Sequence, residues 1–287
     1  MKFNLVDASF AHDNFTVAGK MSNYVEWDRS CKDASLPTFY THENIFNCST
    51  PKHLSYGMLW ESKTIIPKIY ANAHIVAKNF NKIFTFDQDL INCNPEVFKY
   101  APCAGLWIGG THGGGDVEIK IKNKLVSILT SDKVMCPLHQ YRYSLSQFFI
   151  NDDNVDVFGA VKNDGWMPVH KTLDNYMFSI IVENTRTKNY FTEKLLNCFA
   201  VGTIPIYIGC TNIGDFFDPR GIIEADEHSN IQRVVDGLSE ELYEQLITYG
   251  RTNHYLCKRY NTIEDYVYKE YFLPDEKKPI KGIHDDI

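Results

Sequence analysis

Residues 183–194 gather the side chains of this chain that could best hold an anionic ligand and move a proton. Glu183, Asn184, Tyr190, Thr192, Glu193 and Lys194 all fall within this polar stretch. Apolar runs at 178–182 and 203–208 flank it and read as buried parallel strands. Thr192 suits a helix N-cap, Leu195, Leu196, Phe199 and Ala200 give an apolar helical face, and Gly202 is a natural stop. The unit is strand, polar loop, helix, strand, and such units bind ligands where the strand ends and the helix begins. Lys194 is a cation in the first helical turn, which the helix dipole disfavours. A phosphate held jointly by free backbone N–H groups and the ammonium would account for it. A solvated surface lysine is the ordinary alternative, but so many polar groups converging on one loop favour the phosphate.

The stretch resembles the donor-binding motif of the fucosyltransferases of glycosyltransferase family 10. That motif is an apolar strand, Glu-Asn, a variable stretch, Tyr-x-Thr-Glu-Lys, a helix, and a strand ending in Pro-x-Tyr-x-Gly. Glu183 and Asn184, Tyr190 through Lys194, and Pro205, Tyr207 and Gly209 match it, and residues 211–217 look like the family's next segment. The resemblance implies an inverting glycosyltransferase that moves a sugar, L-fucose from GDP-fucose, to a hydroxyl of a carbohydrate acceptor. It implies no cofactor beyond that nucleotide-sugar co-substrate. No metal is expected: no Asp-x-Asp triplet offers the diphosphate a metal cradle, and Asp152-Asp153 reads as a solvated turn. Two alternatives stand beside this reading. One is the same mechanism with another nucleotide sugar or a non-glycan acceptor such as a modified nucleobase. The other is a non-catalytic nucleotide- or carbohydrate-binding module, against which the presence of Glu43, Arg142, Glu193 and Lys194 together argues.

Two more segments join the resemblance. After an apolar run at 125–129 comes a polar exit, Thr130 to Lys133, and Arg142 follows in a helical stretch. In the family, a strand ending in a Ser-Asn-type turn precedes an Arg that contacts the diphosphate. Ser131 and Arg142 take those places, with Lys133 or His139 as the alternatives for the contact. A leaving nucleoside diphosphate gains negative charge in the transition state, and cations and helix N–H groups can meet it. Upstream, residues 38–44 are similar to a motif of bacterial members whose Glu is the catalytic base, which makes Glu43 the expected base and His42 its competitor. By the same resemblance Lys194 and Arg142 neutralise the diphosphate, with Tyr190 and Asn184 adding hydrogen bonds. Glu193 would contact the ribose or the positive charge building on the sugar ring, and Glu183 is either a sugar-hydroxyl ligand or structural.

The elements that must position these groups alternate between strand and helix. Strands are expected at 3–6, 37–40, 83–86, 125–129, 156–158, 178–182 and 203–208. Helices are expected at 64–79, 140–149, 193–201, 240–249 and 262–272. The glycine-rich residues 109–116 form a loop or the approach to a hinge. The fold class is therefore α/β, with two doubly wound, Rossmann-like domains facing across a cleft. This is also the GT-B architecture that the resemblance implies. Residues 1–122 would bind the acceptor, and residues 123–287 would bind the nucleotide sugar and carry the closing helices. Trp60, Glu61 and Ser62, and the group Trp107, Thr111 and His112, read as material for the acceptor side of the cleft.

Bulk properties narrow the class further. The 287 residues are 44% hydrophobic, enough to bury one large or two moderate cores. A net charge of −7 gives no electrostatic footprint for nucleic acid or an anionic membrane. No apolar run reaches membrane-spanning length and the N-terminus has no signal-like apolar region, so the expected location is the cytoplasm, as in a bacterial or viral relative. The eight cysteines are scattered without a Cys-x-x-Cys pair and read as reduced thiols. The sequons at Asn14 and Asn47 then read as chance matches.

Overall fold

The computed structural model describes residues 1–7 and 15–274. The Asn14 sequon and the polar tail from Asp275 lie outside the described residues. Two all-parallel sheets build the molecule. The first contains β1 (Lys2–Val6), β2 (Glu26–Asp28), β3 (Thr38–Thr41), β4 (Ser55–Leu59), β5 (Lys82–Thr85) and β6 (Phe98–Tyr100), in the order β2-β1-β3-β4-β5-β6. Helices α1 (Pro67–Val76) and α2 (Gln88–Cys93) connect its later strands. The second contains β7 (Lys124–Thr130), β8 (Val155–Gly159), β9 (Tyr176–Val182), β10 (Ile204–Ile208) and β11 (Ile223–Glu224), in the order β11-β10-β9-β7-β8. After β7 the chain also forms α3 (Pro137–Phe148), α4 (His170–Leu173), α5 (Glu193–Val201), α6 (Ile231–Asp236), α7 (Glu240–Cys257) and α8 (Ile263–Tyr271).

Burial follows from this topology. Every residue of β9 and β10 is buried, as expected of central parallel strands covered on both faces. Pro205 is tolerated inside β10 because the short β11 pairs only with Ile206 and Tyr207 and asks nothing of position 205. Gly202 ends α5 in the left-handed conformation at φ 74°, with its N–H returned to the last turn. Pro67 opens α1 at the first helical position, so the helix begins three residues later than its periodicity suggests.

The chain does not finish on its second sheet. α7 packs Tyr243 and Ile247 into the core of β7–β10. α8 then crosses back, setting Ile263 and Val267 among Phe3, Leu5, Phe39, Met58 and Phe84 of the first sheet. Glu264 fastens the crossing from a buried position: its carboxylate accepts the Thr16 N–H at 2.8 Å and the Trp27 indole N–H at 3.1 Å. By packing, the last helix therefore belongs with the first sheet rather than with the rest of 123–287.

Candidate active site

The β9–α5 loop is built around a buried carboxylate. Glu183 ends β9 with no exposed surface; its Oε1 accepts the Thr192 N–H at 2.8 Å and its Oε2 the Thr192 hydroxyl at 2.7 Å. Thr192 in turn caps α5, its hydroxyl oxygen accepting the Lys194 N–H at 3.4 Å. The Lys194 ammonium lies 3.4 Å from Glu183 and 3.2 Å from Glu193. Burial pulls the Lys194 pKa down, but Glu193 and Glu183 outweigh it and hold the ammonium above its ordinary value. Burial raises the Glu183 carboxyl against the opposing pull of Lys194. The cation that seemed to need a phosphate thus has two carboxylate partners, and Glu183 sits behind the cleft wall as a clamp.

The tip of the same loop reaches the first sheet. Asn189, at φ 63°, donates from Nδ2 to the Phe86 carbonyl at 3.2 Å and to Gln88 Oε1 at 2.9 Å. Its backbone N–H and its side-chain oxygen are both held by Asn212, at 2.7 and 2.9 Å. Tyr190 sets its ring edge-on to Phe86, with centroids 4.8 Å apart. The β9–α5 loop is therefore fixed between the two sheets.

Arg142 projects from α3 and is 5% exposed. Its guanidinium donates to the Val182 carbonyl and to Ser131 Oγ, both at 3.2 Å, and its Nε has no partner. Among the described residues it forms no close ion pair: its direct partners are neutral oxygens, and the Glu183 and Glu193 carboxylates act on it only from a longer range. That is a costly arrangement until an anion arrives. One turn earlier, His139 Nε2 lies 2.7 Å from Asn184 Oδ1, and burial lowers its pKa despite that bond. Its imidazole is therefore committed to Asn184. Lys133 lines the same cleft from the exposed strand exit.

These groups open onto a cleft of about 980 Å³ between the sheets. Ser131, Arg142, Asn184, Tyr190, Thr192, Glu193 and Lys194 line it; Glu183 and Glu43 do not. Glu43 is exposed on a 3-10 turn at the end of β3. The first-sheet carboxylate in the wall is Glu61, just beyond the C-terminal end of the neighbouring β4, beside Trp60. The Glu61 backbone is held from two sides: His42 Nε2 accepts its N–H at 3.3 Å, and the Tyr70 hydroxyl donates to its carbonyl at 2.7 Å. Burial pushes His42 down to about 4, with Glu43 and Asp7 pulling the other way. His42 is thus a weakened base whose Nε2 is already engaged with the Glu61 N–H. Trp107, His112, Trp166 and Asn197 complete the lining. Asn197 and Trp166 carried no sequence signal: the one lies on the apolar α5, where its Oδ1 accepts the Trp107 and Ile108 N–H groups, and the other on an irregular loop.

Two parallel Rossmann-like sheets facing across a cleft, with a C-terminal helix that returns to the first sheet, define the GT-B glycosyltransferase fold. The model of glycosyltransferase family 10 (fucosyltransferase), C-terminal part, matches residues 119–270. The chain belongs to this family. An alpha-(1,4)-fucosyltransferase of Arabidopsis thaliana is 33% identical over 66 residues, 23% of this chain and 16% of that protein. An alpha-(1,3)-fucosyltransferase of Helicobacter pylori is 31% identical over 81 residues, 27% of this chain and 17% of that protein. The matches thus span less than a fifth of either relative's length. The crystal structure of TarM superposes at a TM-score of 0.51 and 11% identity, over 81% of this chain and 53% of that one, a likeness of fold. Among the described residues no helix is long and apolar enough to cross a membrane.

Proposed function

We propose that this protein transfers a sugar from a nucleoside diphosphate to an acceptor hydroxyl with inversion, and that the donor is GDP-fucose and the acceptor a carbohydrate. The observation that carries the reading is Arg142, a buried guanidinium without an ionic partner, in the same cleft wall as Lys194 and the start of α5. A diphosphate there supplies the missing counter-charge and meets the positive end of a helix dipole. In the displacement the acceptor oxygen attacks the anomeric carbon and the bond from that carbon to the diphosphate breaks. The diphosphate leaves with the electron pair, stabilised by Arg142 and Lys194, and the acceptor proton passes to a carboxylate. Glu193, which lines the cleft beside Lys194, would contact the ribose or the positive charge building on the sugar ring.

The base is a carboxylate of the first sheet. Glu61 is favoured by position, since it lines the cleft on a doubly anchored backbone. Glu43 is the carboxylate the family motif points to, and it follows the adjacent strand. Fucose is carried by the family and by the names of the matching relatives, and the GDP moiety by the resemblance of the donor motif. The test is GDP release from GDP-fucose, with and without an oligosaccharide panel. Release stimulated by an acceptor is expected, and inertness toward GDP-fucose alongside turnover of another nucleotide sugar would overturn the donor.

A further inference from the structure

Trp166 is 69% exposed, although it lines the cleft. It stands on the loop after β8, next to Gly165, whose φ of 69° turns the chain with nothing within 4 Å of where a side chain would begin. An indole on a loop that projects into solvent leaves much apolar area uncovered, and such area marks a contact surface when it borders a site. Its ring neighbours His112, at 6.2 Å and 68° between planes, and His112 meets Trp107 at 5.5 Å and 62°. All three line the cleft, so a row of edge-to-face rings runs from its rim toward the connector between the two sheets. On the first-sheet wall the cleft carries a fourth aromatic, Trp60, next to Glu61.

We propose that Trp166, His112 and Trp107 form an acceptor subsite that holds a pyranose ring of a carbohydrate by its C–H face. This rests on the transferase reading and adds to it a place for the second substrate. Aromatic faces are apolar with a negative π-surface, so they pair with the polarised C–H groups of a sugar while the ring's hydroxyls stay in water or meet neighbouring polar groups. Asp132, Lys133 and Asn163 supply such groups along the same lining. A nucleobase is the other flat ligand that could stack here. Selecting a base, however, requires buried donors and acceptors at its edge, whereas Trp166 sits at the rim. A rim position suits an acceptor whose remaining residues extend into solvent.

The experiment is saturation-transfer NMR on the GDP-loaded protein with a mixture of lactose, N-acetyllactosamine, chitobiose and cellobiose, alongside calorimetric GDP titration of each variant. Saturation should reach sugar protons in the wild type. Trp166→Ala should raise the sugar's dissociation constant by about tenfold and Trp166→Tyr by much less, with GDP affinity unchanged within about twofold. Unchanged sugar affinity in Trp166→Ala, a fall in GDP affinity in its place, or no sugar contact in the GDP-loaded wild type would each overturn the proposal. Failure of the wild type to bind GDP would strike the transferase reading instead, and the sugar arm run without nucleotide still reads Trp166.

Discussion

Glu183 and Thr192, nine residues apart, are joined by two hydrogen bonds, one to the threonine N–H and one to its hydroxyl. That clamp folds the end of β9 against the start of α5 and sets the position of Lys194, which rests on the same carboxylate. Removing it leaves the Thr192 donors and a largely covered ammonium without their partner. Glu183→Ala should therefore destabilise the protein by about 3–5 kcal/mol, the range for breaking a buried pair. Glu183→Gln should cost less, because the amide keeps the shape and one acceptor. Urea unfolding monitored by circular dichroism measures both.

Arg142→Ala should weaken GDP binding about 10- to 100-fold, since it deletes charge-assisted hydrogen bonds to the diphosphate. The protein should lose little stability, because a buried cation without an ionic partner is not a stabilising feature of the free protein. A GDP affinity that does not change on calorimetric titration would remove Arg142 from the site.

The two carboxylates of the first sheet make opposite demands on one assay. Glu61→Gln should lower kcat with acceptor by about 100-fold or more and leave GDP affinity intact, the pattern of a lost general base. Glu43→Gln should then stay close to wild type. The reverse outcome would return the base to Glu43 and make Glu61 a wall residue.

His42 gives a signature in stability against pH. Its ordinary value is 6.5, and in the folded protein burial pushes it down to about 4. Between those values the unfolded chain takes up a proton that the folded chain refuses, so stability is lost as pH falls from 6.5 toward 4. This one group should account for about 3 kcal/mol of that loss. His42→Asn should flatten the slope, measured by urea unfolding at several pH values.

The second half of this molecule was legible in its sequence because parallel-sheet chemistry is explicit there. The strands containing Val182 and Ile206, the Thr192 cap and the Gly202 stop each announce themselves, and the structure places all of them. The first half was harder. β4 lies at the centre of its sheet, yet Gly57 interrupts the β pattern. The structure gives the reason: a Cβ at position 57 would lie 3.0 Å from the Ile83 side chain and 3.3 Å from that of Ile45, so the packing there is tight around a glycine. With β4 unrecognised, Glu61 could not be seen as a residue following a strand end. The partner of Lys194 was hidden for a related reason, since only the fold brings Glu183 beneath the ammonium. The return of α8 to the first sheet could not be read from its periodicity, which records an apolar face but not what covers it.

Calorimetric titration with GDP, UDP, CMP and ADP, on the wild type and on Arg142→Ala, addresses the central claim most directly. Binding selective for GDP that falls about 10-fold or more in Arg142→Ala is the predicted result. Binding of none of the four nucleotides would contradict a nucleotide-sugar site in this cleft.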